Sequence, residues 1–223
     1  MFVVGVGEKK YDAKSVIICT GASARRMEIP GENDYFGKGV STCAVCDAAL
    51  YKDKDVVVVG GGDSAMEEAL ALYKFSKKVV IVHRRDEFRA SKIMQERVLK
   101  LKDKIEVVWD SAVSEVLGDG KFVTGVKIKN VKNGNVEEVK CDGMFLAIGH
   151  VPNTKIFDGN VGLDGKGYVI TDKFGKTNVE GIYAGGDCQD PMFKQAVTSA
   201  GTSCMAGLNA EKYIEELKAK EKY

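Results

Sequence analysis

The sequence predicts an α/β fold, and three observations carry that reading. A run of four valines, Val56–Val59, leads into Gly60-Gly61-Gly62-Asp63-Ser64-Ala65 and then into an amphipathic stretch. Strand-like and helix-like segments alternate from 55 to 109. Three alternating segments then follow between 112 and 140, joined by turns. The first two describe a Rossmann-like nucleotide-binding unit with a parallel sheet and right-handed crossovers. The third describes an antiparallel meander attached to it.

Each element has its own warrant. Phe2–Val6 is apolar and turns at Gly7-Glu8-Lys9-Lys10, so it opens a hairpin; Ser15–Cys19 is a short apolar run read as a buried strand. Ile29-Pro30-Gly31-Glu32-Asn33 is a loop. Asp55–Val59 is a buried strand, and Ser64–Phe75 a helix whose Ala65, Met66, Ala69, Leu72 and Tyr73 share one face. Val79–Val82 and Ile105–Trp109 are strands on either side of a second helix, Ser91–Leu101, with Ile93, Met94, Val98 and Leu101 aligned. Ala112–Leu117, Val123–Lys129 and Val136–Lys140 form the meander, with Asn133-Gly134 in its second turn. Met144–Ile148 is apolar and leaves through Gly149-His150-Val151-Pro152-Asn153; Gly181–Asp187 is a strand running into a glycine turn, and a last helix covers 194–218.

Composition narrows the classes. The 223 residues carry 33 Lys and Arg against 32 Asp and Glu, a net charge of +1, which gives no pull toward nucleic acid or an anionic membrane. The longest uncharged stretch, 195–210, is too short to span a bilayer and is full of Ser, Thr and Gly. The first ten residues show no basic leader and no cleavage site, so no signal peptide is expected there. Six cysteines stand at 19, 43, 46, 141, 188 and 204, and only one pair is closely spaced. That usage favours a cytosolic redox pair over a structural disulfide framework and places the chain in the cytoplasm.

The glycine loop follows a strand and opens a helix, the context in which G-x-G-x-x-G/A holds a dinucleotide pyrophosphate. Gly60 permits the tight turn, Gly62 lets backbone approach phosphate, and Ala65 keeps helix and strand close. Asp63 and Ser64 complete the loop. The next strand ends at His83, where an NAD site carries Asp or Glu, and Arg84, Arg85 and Arg89 follow. Guanidinium groups bind a 2′-phosphate through paired, charge-assisted hydrogen bonds, so NADPH is favoured over NADH. The bland alternatives are a ligand-free βα turn and a solvated loop in which Asp86 and Glu87 neutralise the arginines.

Cys43-Ala44-Val45-Cys46-Asp47 admits three readings. The first is a redox dithiol, one sulfur attacking a partner disulfide and the other resolving the mixed disulfide, with Asp47 placed to move protons. The second is half of a zinc site, which lacks a second close pair. The third is two incidental thiols. No metal is assigned.

Taken together these segments resemble the low-molecular-weight thioredoxin reductases, and the resemblance covers essentially the whole chain. It runs through Thr20–Arg25, Cys43–Asp47, Gly60–Ala65, His83–Ala90, Ala147–Thr154, Gly185-Gly186-Asp187 and Gln195–Thr202. It implies an FAD-binding domain of the pyridine-nucleotide disulfide oxidoreductase type, split in sequence by an inserted NADPH-binding domain. On that plan 1–49 and 147–223 are FAD-domain segments and 50–146 is the NADPH-binding domain. The resemblance further implies that Cys46 lies next to the flavin, that Cys43 exchanges with thioredoxin, and that Asp47 protonates the departing thiolate. Arg84, Arg85 and Arg89 are implied to hold the 2′-phosphate, with His83 beside them. Asp187 is implied to bind the flavin's ribityl region, and Gln195 and Ala196 to contact its ring. A homodimer is implied as well. Lys194 stands where many relatives have Arg.

A second departure lies at the start of the chain. The family begins with a strand, glycine loop and helix for the ADP half of FAD, and Gly5-Val6-Gly7 leads into a turn instead. At least one βαβ unit of roughly 30 residues is expected to be absent. Weak or absent FAD, with NADPH binding retained, is the expectation. The alternatives are the flavoprotein reductase component of a peroxide-reducing system and a non-catalytic NADPH-binding module.

Overall fold

The computed structural model describes residues 1–220. In chain order its elements are β1 (Phe2–Val6), β2 (Lys9–Ala13), β3 (Val16–Ile18), β4 (Ala22–Ala24), β5 (Val40–Ser41) and α1 (Ala44–Asp47). Then come β6 (Asp55–Val59), α2 (Asp63–Tyr73), β7 (Lys78–Val82), α3 (Lys92–Leu99), β8 (Ile105–Val108), β9 (Ser111–Gly118), β10 (Val123–Asn130), β11 (Val136–Lys140) and β12 (Gly143–Leu146). The chain closes with β13 (His150–Pro152), β14 (Ile182–Ala184) and α4 (Ala196–Lys220). Two compact units result: residues 24–149, and residues 1–23 together with those from His150 on.

The larger unit is built on a five-stranded sheet in the order β5-β12-β6-β7-β8, and every pairing is parallel. A parallel sheet covered on both faces has apolar residues at consecutive strand positions, which is why β6 reads as four valines in a row. Val56 and Val58 join α1, α2 and α3 in one core; Val57 and Val59 join the meander in another. The meander is the antiparallel sheet β11-β10-β9, as the alternation predicts. Helices, parallel sheet and meander therefore stack as three layers.

Three sequence readings need adjustment. Ile93 is 60% exposed, whereas Val98 is buried and Met94 and Leu101 pack against the same core. The last helix starts at Ala196 rather than at 194, since Lys194 holds φ +47 and cannot continue a right-handed helix backward. The unit also extends beyond 50–146. Val40 and Ser41 pair with Met144 and Phe145, so β5 is an edge strand of the same sheet.

The loop between β4 and β5 is fixed by a buried carboxylate. Glu32 is 1% exposed and accepts from Arg26 Nε at 2.7 Å and from the Met27 amide. The smaller unit contains the β1–β2 hairpin and the parallel pair β3–β14. The helix α4 lies on β14 through Ala206 and Ala210, next to Tyr183 and Tyr213. The last three positions of the expected 147–223 segment fall outside the described residues.

Candidate redox and dinucleotide site

In the larger unit the glycine loop lies between β6 and α2, as the motif requires. Its three glycines have separate physical reasons. A Cβ at Gly60, whose φ is +156, would lie 2.5 Å from the Ala147 carbonyl oxygen and 2.9 Å from the Ala65 Cβ. A Cβ at Gly61 would strike the His83 ring at 2.2 Å. A Cβ at Gly62 meets nothing within 4 Å. The protein itself therefore needs Gly60 and Gly61, whereas the space above Gly62 is open to a ligand. Ala65 is fully buried against the strand, the close approach expected of it.

Asp63 and Ser64 both lie on the exposed start of α2, but Asp63 is already engaged. Its Oδ1 accepts from the Ser91 amide and the Ser91 hydroxyl, both at 2.8 Å, ahead of α3. Those bonds hold its carboxyl below the usual range. Asp63 thus ties the glycine loop to the segment after β7.

That segment carries the arginines. Arg84, Arg85 and Arg89 are exposed, and none of them forms an ion pair among the described residues. Asp86 sits 3.7 Å from Lys132, so its ion pair is with that lysine and not with the arginines. The Arg89 and Ala90 amides donate to the Gly61 carbonyl at 2.7 and 3.2 Å, joining the arginine segment to the glycine loop. His83 is 5% exposed, with its ring packed between Phe88, Trp109 and Gly61. Its Nε2 donates to the Glu87 carbonyl at 3.0 Å. Burial first, then Arg89 and Arg85, push its imidazole below the usual range. Placed so, His83 shapes the arginine segment from beneath.

Cys43 and Cys46 form a disulfide with Cα atoms 5.3 Å apart, spanning the single turn α1. Cys46 is exposed and Cys43 half-buried. The Cys46 amide donates to Cys43 Sγ at 3.2 Å. Asp47 Oδ2 accepts from Ser41 Oγ at 2.6 Å, and Ser41 Oγ accepts from the Cys43 amide at 3.1 Å. Ser41 therefore relays between the acid and the cysteine turn, a role no motif announced. The helix α2 starts at the glycine loop and packs on α1, so one helix serves both features. Among the described residues no group of His, Cys, Asp and Glu is arranged to hold a metal. A groove of about 680 Å3 lined by Lys77, Lys78, Lys102 and Lys104 contains none of these residues.

The smaller unit holds the remaining candidates. Asp187 sits in a 3-10 turn at 186–188, and its Oδ1 accepts from Ser199 Oγ of α4. The Gly186 amide donates to Thr202 Oγ1 at 2.9 Å, and Gly186 holds φ +76. Lys194 Nζ donates to the Pro191 carbonyl at 2.6 Å and lies 5.3 Å from the Tyr168 ring centroid. The Gln195 carbonyl accepts from the Ser199 amide and from Thr198 Oγ1, both at 2.9 Å, while Ala196 is exposed. The helix start is thus ordered by its own side chains.

A nucleotide loop, a cationic segment beside it and a disulfide on the same helix layer define a pyridine-nucleotide disulfide reductase. The chain belongs to the pyridine nucleotide-disulphide oxidoreductase family, whose pattern matches residues 2–203. Within that family it falls among the thioredoxin reductases, which use FAD and NADPH. It is 51% identical over 216 residues to the thioredoxin reductase of Rickettsia conorii, covering 95% of this chain and 69% of that protein. It is 52% identical over 219 residues to thioredoxin reductase 2 of Arabidopsis thaliana, covering 94% of this chain and 57% of that protein. The crystal structure of the thioredoxin reductase from Streptococcus pyogenes superposes with a TM-score of 0.91 at 43% identity, covering 96% of this chain and 70% of that one.

Proposed function

We propose that this chain carries the dinucleotide-binding and redox-disulfide parts of an NADPH-dependent thioredoxin-disulfide reductase. Electrons from NADPH, relayed by FAD, reduce Cys43–Cys46, and the dithiol reduces thioredoxin. The observation that carries the reading is the pairing of a ligand-ready glycine loop and three unpaired arginines with a disulfide whose helix packs on α2.

The protein's own groups divide the work. The loop 60–65 offers amides and an open approach at Gly62 to a pyrophosphate. Arg84, Arg85 and Arg89 take the 2′-phosphate, and His83 and the Gly61 carbonyl hold their segment in place. Cys43 attacks the partner disulfide and Cys46 resolves the mixed disulfide, with Asp47 supplying the proton to the leaving sulfur. Ser41 fixes Asp47 against the turn. In the smaller unit Asp187, Lys194, Gln195 and Ala196 form the flavin-facing group, and the flavin, when bound, relays two electrons between nicotinamide and sulfur. The ordered Asp187–Ser199 contact fits that duty, since it holds the acid toward one face of the α4 start. The assignment of 1–49 and 147–223 to flavin-binding segments belongs to this proposal, as do the homodimer and the cytoplasmic location. Support for the dimer is the exposure of Val197 and Leu208 along α4; support for the location is the single close cysteine pair.

The test is NADPH affinity, measured by calorimetry for this chain and for an Arg84→Ala, Arg85→Ala double variant, with NADH as control. Loss of two charge-assisted contacts is expected to weaken NADPH on the order of a hundredfold and to leave NADH unchanged. Equal NADPH affinity in the two proteins contradicts the assignment. Reduction of dithionitrobenzoate by NADPH and thioredoxin, with and without added FAD, separates a catalyst from a binding module.

A further inference from the structure

The scheme above leaves one buried acid beside the disulfide without a role. Glu68 lies on α2, five residues beyond Asp63, and turns its carboxyl toward α1. Its Oε2 accepts from the Ala44 amide at 2.6 Å. Ala44 is fully buried, follows Cys43 directly and begins the turn that carries both sulfurs. The charged neighbours that bear on Glu68 are Glu67 on α2 and Asp47 on α1, both anionic. Tyr51, in the turn packed on α2, stays neutral because burial and then Asp47 push its phenol up.

We propose that Glu68 is a positioning residue for the Cys43–Cys46 couple: its carboxyl fixes the Ala44 amide, and its charge sets how readily the two cysteines become thiolates. The proposal rests on the reading of that pair as a redox couple. Breaking the S–S bond takes two electrons, plus one proton if a sulfur stays thiolate or two if both become thiols. A carboxylate hydrogen-bonded to the amide of the residue after Cys43 opposes thiolate charge, and a carboxylic acid does not. Burial, and then the two anionic neighbours, raise the Glu68 carboxyl to about 7, so it changes charge where such an enzyme operates. Above that pH its charge drives the second proton onto sulfur; below it the thiolate is tolerated. The helix that opens on the dinucleotide thereby also sets the acidity of the dithiol.

The experiment uses the full chain with Cys19 and Cys204 blocked by N-ethylmaleimide, then reduced with dithiothreitol and freed of it under argon. Iodoacetamide alkylation of Cys43 and Cys46 is followed by peptide mass spectrometry between about pH 5.5 and 9.5, a span bracketing the ordinary thiol range. Wild type is compared with Glu68→Gln, which keeps an acceptor for the Ala44 amide, and with Glu68→Ala, which does not. The expected wild-type profile has an extra inflection near neutrality. In Glu68→Gln that inflection is lost and the thiols become acidic by roughly one pH unit. A Glu68→Gln profile that superposes on wild type overturns the proposal, and so does a change seen in Glu68→Ala alone, which leaves only a capping role. A pair that stays oxidised in dithiothreitol overturns the redox reading itself, and it does so before any alkylation is scored.

Discussion

Cys141 and Cys46 are the same residue type made chemically opposite by place. Cys141 is 5% exposed, and burial, aided by Asp142 and Asp55, pushes its thiol up to about 12, so it is inert at neutral pH. Cys46 is exposed on a short turn with Asp47 next to it, where a sulfur can be reached. Glu68 shows the same force on a carboxyl. The folded protein holds its proton up to about pH 7, whereas an unfolded chain releases it near the ordinary value of 4.5. The sign follows: protonated Glu68 costs nothing in either state at low pH, and the ionised form is penalised only in the fold. Its contribution to stability therefore falls as pH rises from about 4.5 to about 7 and is level above that. The Glu68→Gln variant is expected to match wild type in urea unfolding at pH 4.5 and to exceed it by about 1 kcal/mol or more at pH 8. Equal midpoints at pH 8 contradict the burial argument. None of this was visible in the sequence. The Ala44–Glu68 bond joins a backbone amide to a side chain 24 positions away, and such a contact leaves no spacing to read.

Among the elements, the β6–loop–α2 unit was the most legible, and the reasons are physical. Apolar runs of four or five residues announce strands buried on both faces, and β6, β7 and β12 all obey. The faces of α2 and α3 were both legible from their period, with one exception: Val98 is buried and Met94 and Leu101 pack against the same core, while Ile93 is exposed. Within the glycine loop, steric room separates what the fold needs from what a ligand needs. Gly62→Ala is expected to fold as wild type, with its melting temperature changed by less than about 2 °C, yet to lose NADPH affinity by tenfold or more as the new methyl meets the pyrophosphate. Gly60→Ala is expected to lose on the order of 2 kcal/mol of stability, because its Cβ would meet the Ala147 carbonyl at 2.5 Å. Differential scanning fluorimetry and calorimetric titration on both variants check this. A Gly62→Ala protein with full NADPH affinity contradicts the placement of the dinucleotide. His83 was assigned from sequence to the cofactor, but its ring is turned inward, which a strand-end position does not disclose.

On the scale of the whole molecule, the larger unit has a closed set of layers and the smaller one does not. Its β3–β14 pair has only two strands, and Ile17 on it is 43% exposed. The described residues contain one strand–glycine loop–helix cradle, and NADPH is its assigned occupant. A polypeptide of these 223 residues is therefore expected to purify with well under stoichiometric flavin, read from its visible absorbance, and a yellow protein with one FAD per chain contradicts this. The division at 149/150 falls at the Gly149–Asn153 exit that the sequence showed, but the one at 23/24 was not legible, since β5 is two residues long and its pairing with β12 spans a hundred positions. The central claim, that Cys43–Cys46 is a couple matched to thioredoxin, is tested without flavin. The oxidised chain is mixed with reduced thioredoxin at several ratios, quenched in acid, and the two redox states are counted by mass spectrometry. The account predicts that the pair equilibrates, with a potential near the thioredoxin value of about −270 mV. A disulfide that stays fully oxidised at every ratio contradicts it.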